Sequence, residues 1–446
     1  MSVRATRSAL LAVAIGLALA DSSVVTLALP DLLREYDIEI PTVAWVLTSY
    51  NIVLAVAAVP AAYAARRRPV AVCVVGLVVF AAASAGCAAA PTFAVLAAAR
   101  CVQALGAALL LCAALDLLSE VLGDDARAAG VWARAGVLGA ALGPAAGGML
   151  TQVLGWRSIF VVQAPLALAP LAAVVGLRGR PYPAPAGKPH VAANLALLLA
   201  SAALSAALFL LVILLVNGWR LEPIAAGLVV TVMPAAAILM ARAAPRLGGA
   251  ATRAATGLVL VGGGLAALGL LPHAGAAWTV PPQLLVGAGL GLTVSALTER
   301  ALAGRSAQAV HGGWTIASRH AGIVIGLLLM TPLFTADLDR NTDQALVAGT
   351  AAVLDSSIPP LDKVRVAQDV LAEVERAAGR VPDVGPAFED RVDGPDGAAY
   401  AGLAADLEDQ LDRAATNAFS RSFLVAAALG VAGLVPLLLG RAEVRV

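Results

Sequence analysis

Aromatic side chains make up only 4% of the 446 residues, and charged ones only 13%. A soluble domain carries about 25% charged residues, so a water-facing surface over most of this chain is excluded. The scarcity of aromatics argues against an aromatic cage for quaternary cations. Lysine occurs only at Lys188 and Lys363, and neither lies in a Gly-x-x-x-x-Gly-Lys-Ser/Thr loop, so ATP does not drive this protein directly. The four cysteines, Cys73, Cys87, Cys101 and Cys112, all fall in apolar runs and read as small core residues, not a disulfide or metal framework. No Cys/His spacing suggests a metal, and no nucleophile–base arrangement suggests an enzyme. The net charge of +1 says little by itself, because its distribution matters more; no nucleic-acid partner is expected.

What is present is apolar: 60% hydrophobic residues and a mean hydropathy of +0.87. A membrane span needs about 20 mostly apolar residues. Twelve such runs are expected, at 9–33, 43–64, 70–90, 93–121, 128–153, 159–175, 191–217, 223–243, 255–271, 280–302, 312–334 and 419–439. The first begins like a signal peptide, with Arg4 and Arg7, an apolar run and Ala18-Leu19-Ala20. Apolar character resumes at Val24, so one long helix is expected instead. Arg4, Arg7, Arg66, Arg67, Arg68, Arg178, Arg180, Arg246, Arg253, Arg300, Arg305, Arg441 and Arg445 all fall on one side of this arrangement. The positive-inside rule makes that side cytoplasmic, with both termini there. The expected setting is a bacterial inner membrane.

The expected organisation is a six-helix bundle over 1–177, a proline-rich cytoplasmic linker at 178–190, and a second bundle over 191–446. Residues 337–413 interrupt the second bundle. This insert holds 17 Asp or Glu against 7 Arg or Lys, a net of −10, and the topology puts it outside. Val364, Val370, Leu371 and Val374 fall near helical spacing, and Leu403, Leu407 and Leu411 form a second stripe. A helical cap is expected there, serving as a cover, or as a gate or receiver for substrate or an envelope partner.

One run is unusual for a helix: Gly139, Gly143, Pro144, Gly147 and Gly148 within ten residues, followed by Trp156-Arg157 and Phe160. In a bilayer, small residues let helices approach closely, and neighbours satisfy the carbonyl a proline frees. The run resembles the antiporter signature of the major facilitator superfamily, Gly-x-x-x-Gly-Pro-x-x-Gly-Gly. Ala20-Asp21-Ser22-Ser23-Val24-Val25-Thr26-Leu27-Ala28-Leu29-Pro30 is similar to the first-span motif of that family's drug:proton antiporters. Leu96 through Ala108, with Arg100 and Gln103, resembles their fourth-span motif, and Arg319-His320-Ala321-Gly322 through Gly326 their later arginine-glycine stretch. The family's loop between spans two and three normally holds an acid and glycines; here Arg66-Arg67-Arg68-Pro69 has neither. The two extra central spans of the fourteen-span antiporters are also missing.

The resemblance implies an all-α membrane fold of two six-helix bundles. A carboxylate inside a bilayer is costly unless paired, protonated or facing water. At 1.5 Å per residue, Asp21 and Arg100 lie about 18 and 13 Å from their helix ends, near the same depth. Asp21 then serves either proton coupling with Arg100 or a structural contact. Asp116 and Arg134 lie near the same inner level and are expected as a salt bridge closing that side. Gln103, Arg319 and His320 are candidate cavity residues. No cofactor is expected; the proton gradient supplies energy. The leading function is proton-coupled export of an amphipathic small molecule or drug by a monomer in the bilayer. Arg100, Arg134 and Arg319 would favour anionic head groups, which raises a lipid or glycolipid exporter as the alternative. A non-transporting receptor or assembly protein is a third reading.

Overall fold

The computed structural model describes residues 3–179, 187–303, 305, 308–377, 383–393 and 397–440. The central part of the expected linker, 180–186, lies outside the described residues, as do Arg441 and Arg445. No strand occurs among the described residues. Among the described residues, twelve helices are long and apolar enough to cross a membrane: α1 Val3–Thr26, α2 Ile40–Arg67, α3 Pro69–Ala88, α4 Phe93–Leu122, α5 Asp125–Leu154, α6 Arg157–Val174, α7 Val191–Gly218, α8 Pro223–Arg246, α9 Ala250–Gly269, α10 Ala276–Leu302, α11 Ala309–Leu338 and α12 Gly397–Leu439.

Boundaries follow local chemistry. Thr92 and Asp124 cap α4 and α5 by accepting from Val95 and Arg127 N–H groups. Gly123 ends α4 in the left-handed conformation (φ 71°), which a Cβ disfavours. The first span begins and ends earlier than the expected 9–33. Its helix stops at Thr26, and Pro30 opens a separate helix, Leu29–Tyr36, because proline suits a first turn but not an interior.

Packing partners repeat between the halves. In the first, α1 packs on α5, α2 and α3 on α4, and α3 on α6; in the second, α7 packs on α11, α8 and α9 on α10, and α9 on α12. Two six-helix bundles result. They meet along two seams, α2 against α11 and α5 against α8, which pair equivalent helices in swapped order. By the alternation of the twelve spans, Val3, Gly440 and the described arginine-rich loops share one face (the terminal end); the described part of the insert stands at the other (the insert end).

The insert grows from the spans. The eleventh span continues as one helix of 48 residues, Gln308–Asp355, and the twelfth begins as Gly397–Ala432. Helix Pro360–Ala377 lies between them. Leu403, Leu407 and Leu411 turn inward against Val353, Val366, Val384 and Phe388. The stripe expected on Pro360–Ala377 is partly different. Val366 and Val370 face the core, whereas Val364 and Leu371 are exposed. Residues 366 and 370 are four apart and share one helix face; 364 lies off it. The Val374 side chain lies outside the described residues.

Candidate functional site

The deepest polar cluster is built on five helices of the first bundle, α1, α2, α3, α4 and α6. Arg100 on α4 meets Asp21 on α1 at 2.5 Å, and both side chains are 0% exposed. Asp21 also accepts from Gln163 Nε2 on α6 at 3.0 Å. Arg100 donates to Gln103 Oε1 at 2.5 Å and to the Val46 carbonyl at 3.3 Å. Gln103 Nε2 in turn donates to Gln163 Oε1 and to Ser84 Oγ on α3. The guanidinium lies 4.2 Å from the Tyr50 ring centroid, over an electron-rich face. Each charge thus has a countercharge or a fixed dipole, as burial in low dielectric demands. Gln103 belongs to this network and not to the cavity wall, because it faces α3 and α6. Gln163 and Ser84 were not singled out from the sequence; each is an isolated polar residue in an apolar span, and that is the signal they carry.

Beside the cluster lies a central cavity of about 140 Å³ between the bundles. Ser22, Ser23, Thr26, Asn51, Ser201, Ser205, Arg319 and His320 are the polar residues of its wall; the others, Pro144 among them, are apolar. No acid lines it. Asn51 joins the two halves: its Oδ1 lies 2.6 Å from His320 Nδ1, and its Nδ2 donates to Leu47 O and Ser22 Oγ. Asn51 too was missed at the sequence level.

The glycine-proline run of α5 has two faces. A β-carbon on Gly139 would sit 2.1 Å from Gly16 O, one on Gly143 2.1 Å from Ser23 Oγ, and one on Gly147 2.3 Å from Val24 O. That row lets α5 lie on α1. The neighbouring row meets α8 across the seam: a β-carbon on Gly148 would sit 2.6 Å from Pro223 O, and one on Gly227 3.0 Å from Pro144 O. Gln152 extends this contact, accepting from Ile224 N and donating to Glu222. The α5–α8 seam is therefore tight at the insert end. At the terminal end it opens into a cavity of about 900 Å³, lined by Arg134, Arg242, Arg253 and Glu299 among others.

Asp116 and Arg134 are not paired. The Asp116 carboxyl is 3% exposed and accepts the Ala309 N–H in the first turn of α11. The free N–H groups there draw a carboxylate. Arg134 points instead into the 900 Å³ cavity. Glu299 on that wall pairs with Arg253 at 2.7 Å, and Glu120 accepts from the Arg178 and Gly179 N–H groups at the start of the linker.

At the insert end, Glu35 holds the bundle together. Trp156 Nε1 and Arg157 each donate to it at 2.5 Å, and Arg157 also reaches Ala90 O. Burial alone would raise the Glu35 carboxyl, but these hydrogen bonds and the Arg157 charge outweigh it and hold it below the usual value.

Comparison with known proteins agrees with this geometry. A profile described as Major Facilitator Superfamily matches residues 11–331. Multidrug resistance protein Stp of Mycobacterium tuberculosis is 37% identical over 153 residues, covering 33% of this chain and 28% of that protein. The methylenomycin A resistance protein of Bacillus subtilis is 35% identical over 170 residues, 37% of this chain and 36% of that protein. The tetracenomycin C resistance and export protein of Streptomyces glaucescens is 34% identical over 173 residues, 37% of this chain and 31% of that protein. These matches therefore span about a third of each relative's length. They lend no support to the lipid-export alternative. Among solved structures, a bacterial homolog to the human lysosomal transporter Spinster aligns over 99% of this chain and 98% of its own, with TM-score 0.63 and 16% identity. The human organic anion transporter MFSD10 aligns over 75% and 94%, with TM-score 0.58 and 14% identity, again a likeness of fold. With twelve apolar spans in two bundles among the described residues and the family profile over more than half its length, the chain is a multi-pass membrane protein and belongs to the Major Facilitator Superfamily.

Proposed function

We propose that the protein exports amphipathic small molecules in exchange for protons, by alternating access. The observation that carries this reading is the Asp21–Arg100 pair, 0% exposed and one residue from the cavity wall at Ser22. A proton added to the Asp21 carboxylate cancels the charge that balances Arg100. The guanidinium then keeps only Gln103, Val46 O and the Tyr50 face. Because α1 carries Asp21 and packs on α5, loss of the pair loosens α1 against α4 and changes how α5 sits at the seam. Substrate in the cavity and a proton on Asp21 thus favour different packings of the same helices, which is the requirement for exchange.

The open half of the α5–α8 seam supports an entry route from the terminal end. The central and the 900 Å³ cavities share Val137, so the two are neighbouring chambers along α5. The arginine-rich loops make that end cytoplasmic by the positive-inside rule, with the acidic insert outside. Relatives named for resistance to several antibiotics favour drug-like cargo over lipid. The protein works as a monomer without a cofactor, on the proton gradient, and the insert caps the outer mouth or meets an envelope partner.

Reconstituted wild type and Asp21→Asn should be compared for proton movement when amphiphiles are added under a pH gradient. Substrate-induced proton flux in wild type and none in the variant is the expected result. Equal flux in both would remove Asp21 from the coupling.

A further inference from the structure

We propose that the central cavity recognises weakly acidic amphiphiles, an apolar body bearing a carboxylic acid or phenol, through Arg319 and His320. The inference rests on the exporter reading above and names its substrate class.

Arg319 lines the cavity and makes no hydrogen bond or ion pair among the described residues. The other deep arginines do not offer themselves. Arg100 is neutralised by Asp21 and lies off the wall, and Arg134 faces the other chamber. With no acid on the wall among the described residues, Arg319 is an uncompensated cation there beside apolar surface, which invites an anionic or accepting oxygen.

His320 adds the complementary group. Leu47 O can only accept, so it fixes Asn51 Nδ2 as its donor and leaves Asn51 Oδ1 an acceptor. His320 Nδ1, 2.6 Å from that oxygen, must then carry the proton, and Nε2 of the neutral ring is an acceptor. The side chain is 3% exposed, and Nε2 has no partner. A buried acceptor beside a free guanidinium matches one group: an acidic hydroxyl donates to Nε2 while its companion oxygen, or the same oxygen's lone pairs, accepts from Arg319. Leu204, Leu208, Ile323 and Leu327 on the same wall take the apolar body.

The test is binding to the full chain in nanodiscs, with three fluorescent probes of equal apolar body: naphthoic acid, methyl naphthoate and naphthylmethylamine. Wild type should bind the acid about tenfold more tightly than the ester or the amine. Arg319→Gln, Arg319→Lys and His320→Phe should elute from size-exclusion chromatography as wild type does, which certifies their folding; Arg319→Gln and His320→Phe should lose the preference for the acid, and Arg319→Lys should keep part of it. Equal binding of acid and amine by wild type, or an acid preference that survives both Arg319→Gln and His320→Phe, overturns the proposal. Asp21→Asn separates the two readings. Loss of proton coupling in that variant without any acid preference in wild type sinks the substrate class alone; retained coupling with the preference intact sinks the coupling role alone.

Discussion

Asn51 on α2 and His320 on α11 meet at 2.6 Å across the boundary between the two bundles, and neither bond partner can be exchanged without orphaning the other. This buried polar contact on the α2–α11 seam sits on the wall of the cavity that the moving halves must share. Asn51→Leu leaves the His320 Nδ1–H without an acceptor, which costs about 1–3 kcal/mol. We expect a lower unfolding temperature in detergent and slower transport in liposomes, with expression retained. Unchanged transport would mean that the seam opens elsewhere.

The Asp21–Arg100 pair should respond unequally to its two removals. Arg100→Gln leaves a carboxyl that can take up a proton and become neutral. Asp21→Asn leaves a guanidinium that stays charged, and breaking a buried pair in that way costs about 3–5 kcal/mol. Thermal unfolding should therefore rank Asp21→Asn below Arg100→Gln. The double variant should recover stability yet show no proton coupling.

The two glycine rows of α5 predict two phenotypes. Gly147→Val drives a side chain into the Val24 carbonyl inside one bundle and should impair folding, seen as aggregation on size-exclusion chromatography. Gly148→Val meets the Pro223 carbonyl at the seam between bundles, where separation relieves the clash. That variant should fold and lose transport.

Glu35 makes a pH prediction. Its carboxyl lies below its usual value in the folded protein, so its contribution is complete above the unfolded value and is lost as pH falls through the folded one. The stability difference between wild type and Glu35→Gln should shrink as pH drops below about 4. A difference independent of pH would show that the clasp of Trp156 and Arg157 does not act through charge.

The insert core should be separable from the bundles. Leu407→Ala removes a 4% exposed side chain packed among Val353, Val366 and Phe388, at a cost of about 2–5 kcal/mol to the insert. Proteolysis should then cut the insert first and leave both bundles folded.

Much of this was legible in the sequence, for reasons peculiar to membranes. A bilayer demands long apolar runs, so all twelve spans stand out. It penalises lone charges, so Asp21 and Arg100 do as well. Less legible was whatever depends on rotation about a helix axis. Residue spacing puts Asp116 and Arg134 at one depth but does not say that Asp116 faces the first turn of α11. Gln103 carries the same ambiguity and turned toward Gln163. Neutral polar residues such as Asn51 and Gln163 escaped because amides are tolerated in apolar spans and attract less notice than charges. The glycine-proline run announced close packing; which glycine meets which helix required the fold.

The eleventh span has a mechanical consequence. Gln308–Asp355 is one helix of 48 residues, about 72 Å long at 1.5 Å per residue, with Pro332 its only interior proline. His320 grips the other bundle near one end, and the insert is carried on the other, roughly 52 Å further along by the same rise. A helix so held is a lever pivoted in the bilayer: a tilt of a few degrees at the cavity becomes a displacement of several ångströms at Asp355. The insert is thus the far pointer of a gauge whose needle rests on His320, and a spectroscopic label placed there should move with any tilt of the helix at the cavity.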